Sequence, residues 1–297
     1  VGRSAILIAN PAAGFGPAAR AESAVRSLAS VGLRAEFYRT AGPHDAERAA
    51  REAAATFDLV IAAGGDGTVH EVLNGLAGTR AALGVMPLGT MNIVARELGM
   101  PLDVPGACAW IARAQPAPVA LGWRGERAFL IVAGVGYDAF CLEDALRTAQ
   151  EAGRKVGFRD YVSAALLRSG RYPFPTIEAS FEGETVRCAF GFVANCARYG
   201  GNLRIAREAR MEEPLLDLVL FESGLMRDRV RYFFSVLAGR QRSTRGVTYR
   251  KVKEVALRAV DDARIPCELD GEISAPLPGV FRVTGDALFL LHGAPPR

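Results

Sequence analysis

The chain has 297 residues, half of them apolar and 23% charged, with a formal net charge of +4. This composition suits a folded protein with a sizeable core, in one large domain or two modest ones. A charge this mild permits anionic partners but does not call for nucleic acid, and none is expected. The longest nearly uncharged apolar run, residues 128–137, falls well short of the ~20 residues a membrane-spanning helix needs. The opening VGRSAILIAN has too short an apolar run for a secretory leader and lacks a cleavage pattern, so a soluble, cytoplasmic chain is expected. Five scattered cysteines without a C-x-x-C, and three histidines far apart, indicate neither a disulfide framework nor a zinc site.

Taken in chain order, the first third alternates short apolar runs with helical patterns. Strands are predicted at 5–9, 35–38, 59–63 and 82–86, and helices at 18–30, 45–55, 69–76 and 92–98; a Pro/Gly-rich turn over 11–17 separates the first pair. Such alternation implies right-handed βαβ crossovers and a mainly parallel sheet. Past Pro116-Ala117-Pro118 strand-like runs dominate: 119–123, 128–132, 176–181, 185–193, 216–221, 255–260, 267–269, 281–283 and 287–291. Turn residues separate most of them, which favours an antiparallel sandwich or barrel, interrupted by helices near 161–168 and 226–237. The expected organisation is an α/β domain over 1–118 followed by a β-sandwich domain over 119–286.

The strongest local signal is Gly64-Gly65-Asp66-Gly67-Thr68, which runs from a strand into a helix. Glycines let backbone N–H groups approach an oxyanion closely, and the start of a helix adds a favourable dipole. The same residues also read as a tight βα turn with Asp66 or Thr68 as the helix cap. Neither a G-x-x-x-x-G-K-[ST] loop nor a G-x-G-x-x-G after a strand is present, so neither a P-loop nor a Rossmann dinucleotide site is supported. Asp66 could take a proton from an attacking hydroxyl or bind Mg²⁺ between phosphates. A second cluster, Pro87-Leu88-Gly89-Thr90-Met91-Asn92, follows the next strand. Both clusters occupy strand ends, where ligands sit in open α/β sheets, and they are expected to line one crevice.

The loop, continued through His70-Glu71-Val72-Leu73-Asn74-Gly75-Leu76, resembles the catalytic domain of diacylglycerol kinases and sphingosine kinases, most closely the bacterial soluble diacylglycerol-kinase-like lipid kinases. Further matches are Asn10-Pro11 with Gly14, Thr40, the run from Pro87 to Asn92, Gly134-Val135-Gly136-Tyr137-Asp138-Ala139, Gly200-Gly201 and Asp270-Gly271-Glu272, in order along nearly the whole chain. The resemblance implies an N-terminal domain related to phosphofructokinase and NAD kinase, a C-terminal β-sandwich, and transfer of a phosphoryl group from Mg·ATP to a lipid hydroxyl. Asn10, Thr40, Gly64, Gly65, Asp66, Gly67, Thr68 and Thr90 would contact ATP, and the last strand, from about 287 to 297, would return to the first domain.

Glu268-Leu269-Asp270-Gly271-Glu272 reads on its own as a hairpin, because Asp-Gly favours a type I′ turn. The resemblance makes Glu272 the proton acceptor for the lipid hydroxyl, a role a hairpin tip can serve, and leaves Asp66 for Mg·ATP. The sphingosine-kinase branch assigns Asp66 the opposite way. By the same resemblance Asp138 would hold the substrate's polar head, where the residues alone suggest backbone capping. Glu213, Leu215 and Asp217 would hold a structural Mg²⁺, although the family's usual Asp-Gly is here Glu213-Pro214, and a solvated acidic turn competes with that reading.

Between residues 225 and 253 lie nine Lys or Arg and one acid, Asp228. Val230, Phe233, Phe234 and Leu237 fall on one helical stripe, which either packs on the sandwich or helps dock on an anionic bilayer. A transient contact with the inner face of the membrane is expected, and self-association is left open. Two other functions share some of these features: a soluble-metabolite kinase of the NAD kinase type, and a catalytically silent nucleotide- or lipid-binding regulator.

Overall fold

The computed structural model describes residues 3–11, 17–154, 156, 158–167, 169–200 and 203–293; Gly14 and Gly201 of the sequence motifs lie outside them. The first part reads β1 (Ala5–Ala9), α1 (Pro17–Ser30), β2 (Ala35–Arg39), α2 (Asp45–Ala53), β3 (Leu59–Gly64), α3 (Asp66–Leu76), β4 (Ala82–Pro87), α4 (Ile93–Glu97) and α5 (Val104–Arg113). The second opens with β5 (Gln115–Arg124), β6 (Arg127–Phe129), β7 (Val132–Val135), α6 (Tyr137–Glu151) and α7 (Phe158–Leu167). It continues through β8 (Ile177–Phe181), β9 (Glu184–Cys188), β10 (Phe190–Ala194), β11 (Arg198–Tyr199), β12 (Leu203–Arg204), β13 (Leu216–Phe221) and α8 (Met226–Ala238). The chain closes with β14 (Val247–Val252), β15 (Glu254–Ala259), β16 (Cys267–Leu269), β17 (Glu272–Ser274) and β18 (Gly279–His292).

Strands β2, β1, β3 and β4 form a parallel sheet, and β1, β3 and β4 are buried along their whole length, as strands covered on both faces must be. The sheet does not end there. The 14-residue β18 pairs parallel with β4 at Phe289 and Leu290, and its other half pairs antiparallel with β15 at residues 279–282. Strand β5 runs antiparallel beside β18 through both halves, so one ten-stranded sheet extends from the α/β layer into the sandwich. A second, antiparallel sheet in the order β14-β13-β10-β7-β16-β17 faces its far half. Between them lies a core that includes Phe129, Val193, Leu218, Val255, Leu257 and Phe281.

Several sequence readings change; the runs over 281–283 and 287–291, for one, are the single strand β18. The run over 128–132 is two strands, because the N–H groups of Leu130, Ile131 and Val132 turn to a carboxylate instead of a ladder. The run over 185–193 is also two, β9 in the first sheet and β10 in the second, with the chain crossing the sandwich at Ala189. The apolar stripe of α8 does not pack on the sandwich. The helix buries Tyr232, Ser235 and Val236, with Tyr232 against Phe221 (ring centroids 5.0 Å apart) and the Arg229 guanidinium over Phe174 and Tyr137. With that face anchored, Val230, Phe233, Phe234 and Leu237 point outward, 47–61% exposed.

Phe281 lies where β18 joins both partners, with no exposed surface. Phe281→Ala is expected to cost ~3–5 kcal/mol, the transfer free energy plus the cavity left behind. Urea unfolding measures it, and a loss below about 1 kcal/mol would show that the two sheets can close over the gap.

Candidate active site

In the parallel sheet Ala9 lies beside Arg39 and Ala63, Ala63 beside Met86, and Gly64 beside Pro87. The segments that follow β1, β2, β3 and β4 therefore leave one edge at one level. This places Asn10, Thr40, Gly64, Gly65, Asp66, Gly67, Thr68 and Thr90 along the carboxyl edge of a single sheet, where open α/β folds bind ligands. Main-chain bonds keep the exits together: Asn10 N–H donates to Ala63 O (3.3 Å), Thr40 N–H to Ala9 O (2.9 Å) and Leu88 N–H to Gly64 O (2.9 Å). Thr40 and Thr68 are buried, whereas Gly67 and Thr90 are exposed.

The two glycine clusters touch through their backbones. A Cβ on Gly89 would lie 2.3 Å from Gly65 Cα and 3.1 Å from Gly65 N, so any side chain there drives the loops apart. Asn92, in the left-handed region at φ 49°, closes the second loop by accepting from Gly89 N–H (3.0 Å) and donating to Gly89 O (2.9 Å). Asp66 heads α3 but caps α4: its Oδ1 accepts from Ile93 N–H (2.7 Å). Burial raises the Asp66 carboxyl pKa against these N–H bonds, and the nearby charge of Asp270 adds to the rise. Gly65 occupies the N-cap position of α3 with no side-chain cap, so the helix turns its first N–H groups toward the exposed glycine turn.

The sandwich supplies the facing wall. Asp270 and Gly271, at φ 52° and 89°, form a two-residue turn of the I′ kind between β16 and β17, with Leu269 paired to Glu272. The Asp270 carboxylate accepts from Leu130 N–H (2.8 Å), Ile131 N–H (2.8 Å) and Val132 N–H (2.9 Å). Its Oδ2 also lies 3.3 Å from His70 Nδ1 on α3. The hairpin is thereby fixed against the helix that follows the glycine loop. Glu272 Oε1 comes to 3.5 Å from where a Cβ on Gly67 would stand. Burial raises the Glu272 pKa, and the charge of His70 works against that rise.

Asp138 is brought near the hairpin but not to its tip. It is buried in a cluster of the protein's own groups, accepting from the hydroxyls of Tyr161 and Tyr199 beside Glu268. Glu268 in turn accepts from Gly134 N–H (2.7 Å) and Gly271 N–H (2.6 Å). Gly134 has to be glycine, since a Cβ there would fall 2.0 Å from Asp138 Oδ2 and 2.5 Å from Glu268 Oε1. Burial pushes the Asp138 carboxyl up, against the tyrosine hydrogen bonds, and burial with the charge of Asp138 pushes Glu268 well above the ordinary range.

At Glu213, Leu215 and Asp217 a lysine stands where a cation would go. Lys251 Nζ is 2.6 Å from Glu213 Oε2, 3.1 Å from Glu208 O and 3.7 Å from Asp217 Oδ2, and Tyr249 hydrogen-bonds Asp217 Oδ1 at 2.5 Å. An ammonium already meeting both carboxylates is a poor fit to a structural Mg²⁺ there. Sequence reading gave Lys251 no role of its own and used His70 and Asp270 only as motif and turn residues, because their partners stand far away in the chain.

Comparison with known proteins follows this geometry. Residues 4–123 match the diacylglycerol kinase catalytic domain, and residues 132–292 match the YegS C-terminal NAD kinase β-sandwich-like domain. A diacylglycerol kinase of Mycobacterium tuberculosis is 30% identical over 96% of this chain and 94% of its own. One from Bacillus subtilis is 27% identical over 86% and 85%, and a probable lipid kinase YegS-like of Pseudomonas putida is 29% identical over 76% and 78%. A crystal structure of a diacylglycerol kinase from Bacillus anthracis superimposes with a TM-score of 0.74 at 20% identity, covering 98% of this chain and 97% of that one.

The buried acids lead to a pH prediction. A proton shared by Asp138 and Glu268 stabilises the fold fully below their ordinary values of 3.8 and 4.5, and that stability drains away as pH rises through the raised values. Asp138→Asn carries its hydrogens permanently and removes one of the two charges. Its melting temperature is expected to fall less than the parent's as pH rises above the ordinary carboxyl values of 3.8 and 4.5. Equal slopes would contradict the shared proton.

Proposed function

We propose that this chain, which belongs to the diacylglycerol kinase family of lipid kinases, transfers the γ-phosphoryl group of ATP to a hydroxyl of a membrane lipid. The observation that carries the reading is Glu272, a sandwich carboxylate held over Gly67 of the glycine loop. Phosphoryl transfer asks little of a protein beyond positioning and charge stabilisation. The N–H groups of residues 64–68 and the N-terminus of α3 would receive the phosphates, with Asn10, Thr40 and Thr90 along the same edge. Magnesium arriving with ATP would neutralise phosphate charge. Asp66 fits as its ligand, since one oxygen caps α4 and a cation would offset the burial that raises its pKa. As the lipid oxygen forms its bond to the γ-phosphorus and the bond to ADP breaks, Glu272 takes the hydroxyl proton. A carboxylate whose pKa is raised by burial is a better base than one in water. Asp138 then supports the hairpin from behind through Glu268, in place of the head-group contact that resemblance suggests.

Incubation with γ-labelled ATP, Mg²⁺ and a panel of diacylglycerol, monoacylglycerol and sphingoid lipids tests this reading, with label expected in one extracted lipid. Glu272→Gln is expected to cut that turnover by ~10²–10⁴ with ATP affinity nearly unchanged. A label that never enters lipid, or a Glu272→Gln enzyme with near-normal turnover, would contradict it.

A lipid kinase has to reach a bilayer, and no helix among the described residues is long and apolar enough to cross one. We assign that contact to α8, from the cytoplasmic side. Its outward stripe, with Leu225 and Met226 also 58% and 57% exposed, stands beside the exposed Arg227, Arg231 and Arg240. Apolar side chains with neighbouring arginines suit an anionic interface, where each basic residue adds about 1 kcal/mol. Phe233→Ser with Phe234→Ser, and separately Arg227→Glu with Arg240→Glu, are expected to weaken co-sedimentation with phosphatidylglycerol vesicles. Only the arginine contribution should fade with salt. Binding that ignores both variants would place the contact elsewhere.

A further inference from the structure

Behind Glu272 stands a buried histidine whose surroundings are unusual for a packing residue. His70 is 2% exposed and lies between two carboxylates, with Nδ1 3.3 Å from Asp270 Oδ2 and Nε2 3.9 Å from Glu272 Oε2. Asp270 is held as an acceptor by three backbone N–H groups, so the ring nitrogen facing it must carry the hydrogen. Asn74 cannot swing away to change this arrangement. Its amide donates to His70 O (2.9 Å) and Ala128 O (3.1 Å) and accepts from Ala128 N–H (2.9 Å). The imidazole is therefore oriented from one side, and its Nε2 has the Asn74 amide nitrogen at 3.4 Å and Glu272 Oε2 at 3.9 Å before it.

We propose that His70, clamped by Asp270, is the positioning residue that holds the Glu272 carboxylate over the glycine loop. The inference rests on Glu272 being the base, and it adds the device that aims that base. Burial opposes a charge on His70, but the hydrogen bond and charge of Asp270, with the charge of Glu272, outweigh it and raise the His70 pKa. When protonated, the ring between two carboxylates favours the ionised form of Glu272 and fixes its direction. The other charged groups facing the pair are Glu71 on α3, Arg127 on β6, His44 ahead of α2, and Asp66, which senses Asp270. Of these, Arg127 and His44 favour an ionised Glu272 and Glu71 opposes it.

Two measurements test the role. The His70 titration is followed by NMR in the parent, in Glu272→Gln and in Asp270→Asn; the chain has three histidines, which keeps assignment tractable. Both variants are expected to lower the His70 pKa, because each removes a negative charge beside the ring. A His70 titration that Glu272→Gln leaves unmoved overturns the pairing, whatever the activity data say. The second measurement is the pH–rate profile of His70→Gln. Loss of the positive charge should raise the Glu272 pKa, shift the acidic limb to higher pH, and lower kcat about tenfold or more, short of the ~10²–10⁴ expected for the base itself, while KM for ATP stays near the parent's. An acidic limb that stays in place in a folded His70→Gln enzyme overturns the proposal. If the NMR coupling is present but Glu272→Gln turns over normally, the failure belongs to the assignment of the base and not to the His70–Glu272 pairing.

Discussion

A carboxylate taken out of water has to find donors, and the way Asp270 finds them organises this molecule. Its side chain accepts three main-chain N–H groups from residues 130–132, and its outer oxygen faces His70 on α3. Hydrogen bonds to a buried charge contribute roughly 1.5–3 kcal/mol each, and leaving such a charge without them costs more. The bonds reach across 138 to 140 residues, and the histidine contact spans 200. The hairpin that bears Glu272 is thus referred to the helix that follows the glycine loop. That pin, with the Asn74–Ala128 bonds and the Arg127–Glu47 pair, holds together a glycine loop and a carboxylate that come from separate halves of the chain.

The second constraint is steric. Gly65 and Gly89 approach so closely that a side chain on Gly89 would force the loops apart, and Asp66 ties them by capping α4. Rigid loops on a parallel sheet meet a rigid hairpin on a sandwich, while the apolar ridge of α8 stays free on the surface. In the proposed kinase that arrangement would separate the tasks: one edge would hold the nucleotide, the hairpin would supply the base, and the ridge would meet the lipid surface.

Much of this was legible in the chain. β1, β3, β4 and β13 are continuous apolar runs between turn residues, and the rule that ligands collect at strand ends put the glycine loop and the Pro87–Asn92 cluster on one edge, while Asn10 and Thr40 came from the family resemblance. The Asp-Gly turn predicted the I′ hairpin, because both residues take positive φ there. Other features were hidden for identifiable reasons. α5 was missed because Pro105 and Gly106 look like breakers, although both sit in its first turn, where Asp103 caps the Gly106 N–H. α6 follows directly on a glycine turn and offers alanine and cysteine where a helix stripe would show larger apolar residues. The α8 stripe had the right period but gave no sign of which face was anchored, since that choice depends on Tyr232 and Arg229 meeting aromatic rings from distant strands and loops. His70 and Lys251 became legible only through partners far along the chain.

The central claim is that the terminal phosphate of ATP lies between the glycine loop and Glu272. The most direct test is a crystal structure with Mg²⁺ and a non-hydrolysable ATP analogue. The account predicts the triphosphate against the N–H groups of residues 64–68, Asp66 beside the metal, and the Glu272 carboxylate facing the γ-phosphate across space large enough for a lipid hydroxyl. A triphosphate bound away from that loop, or a Glu272 turned from it with His70 no longer between the two carboxylates, would contradict the account.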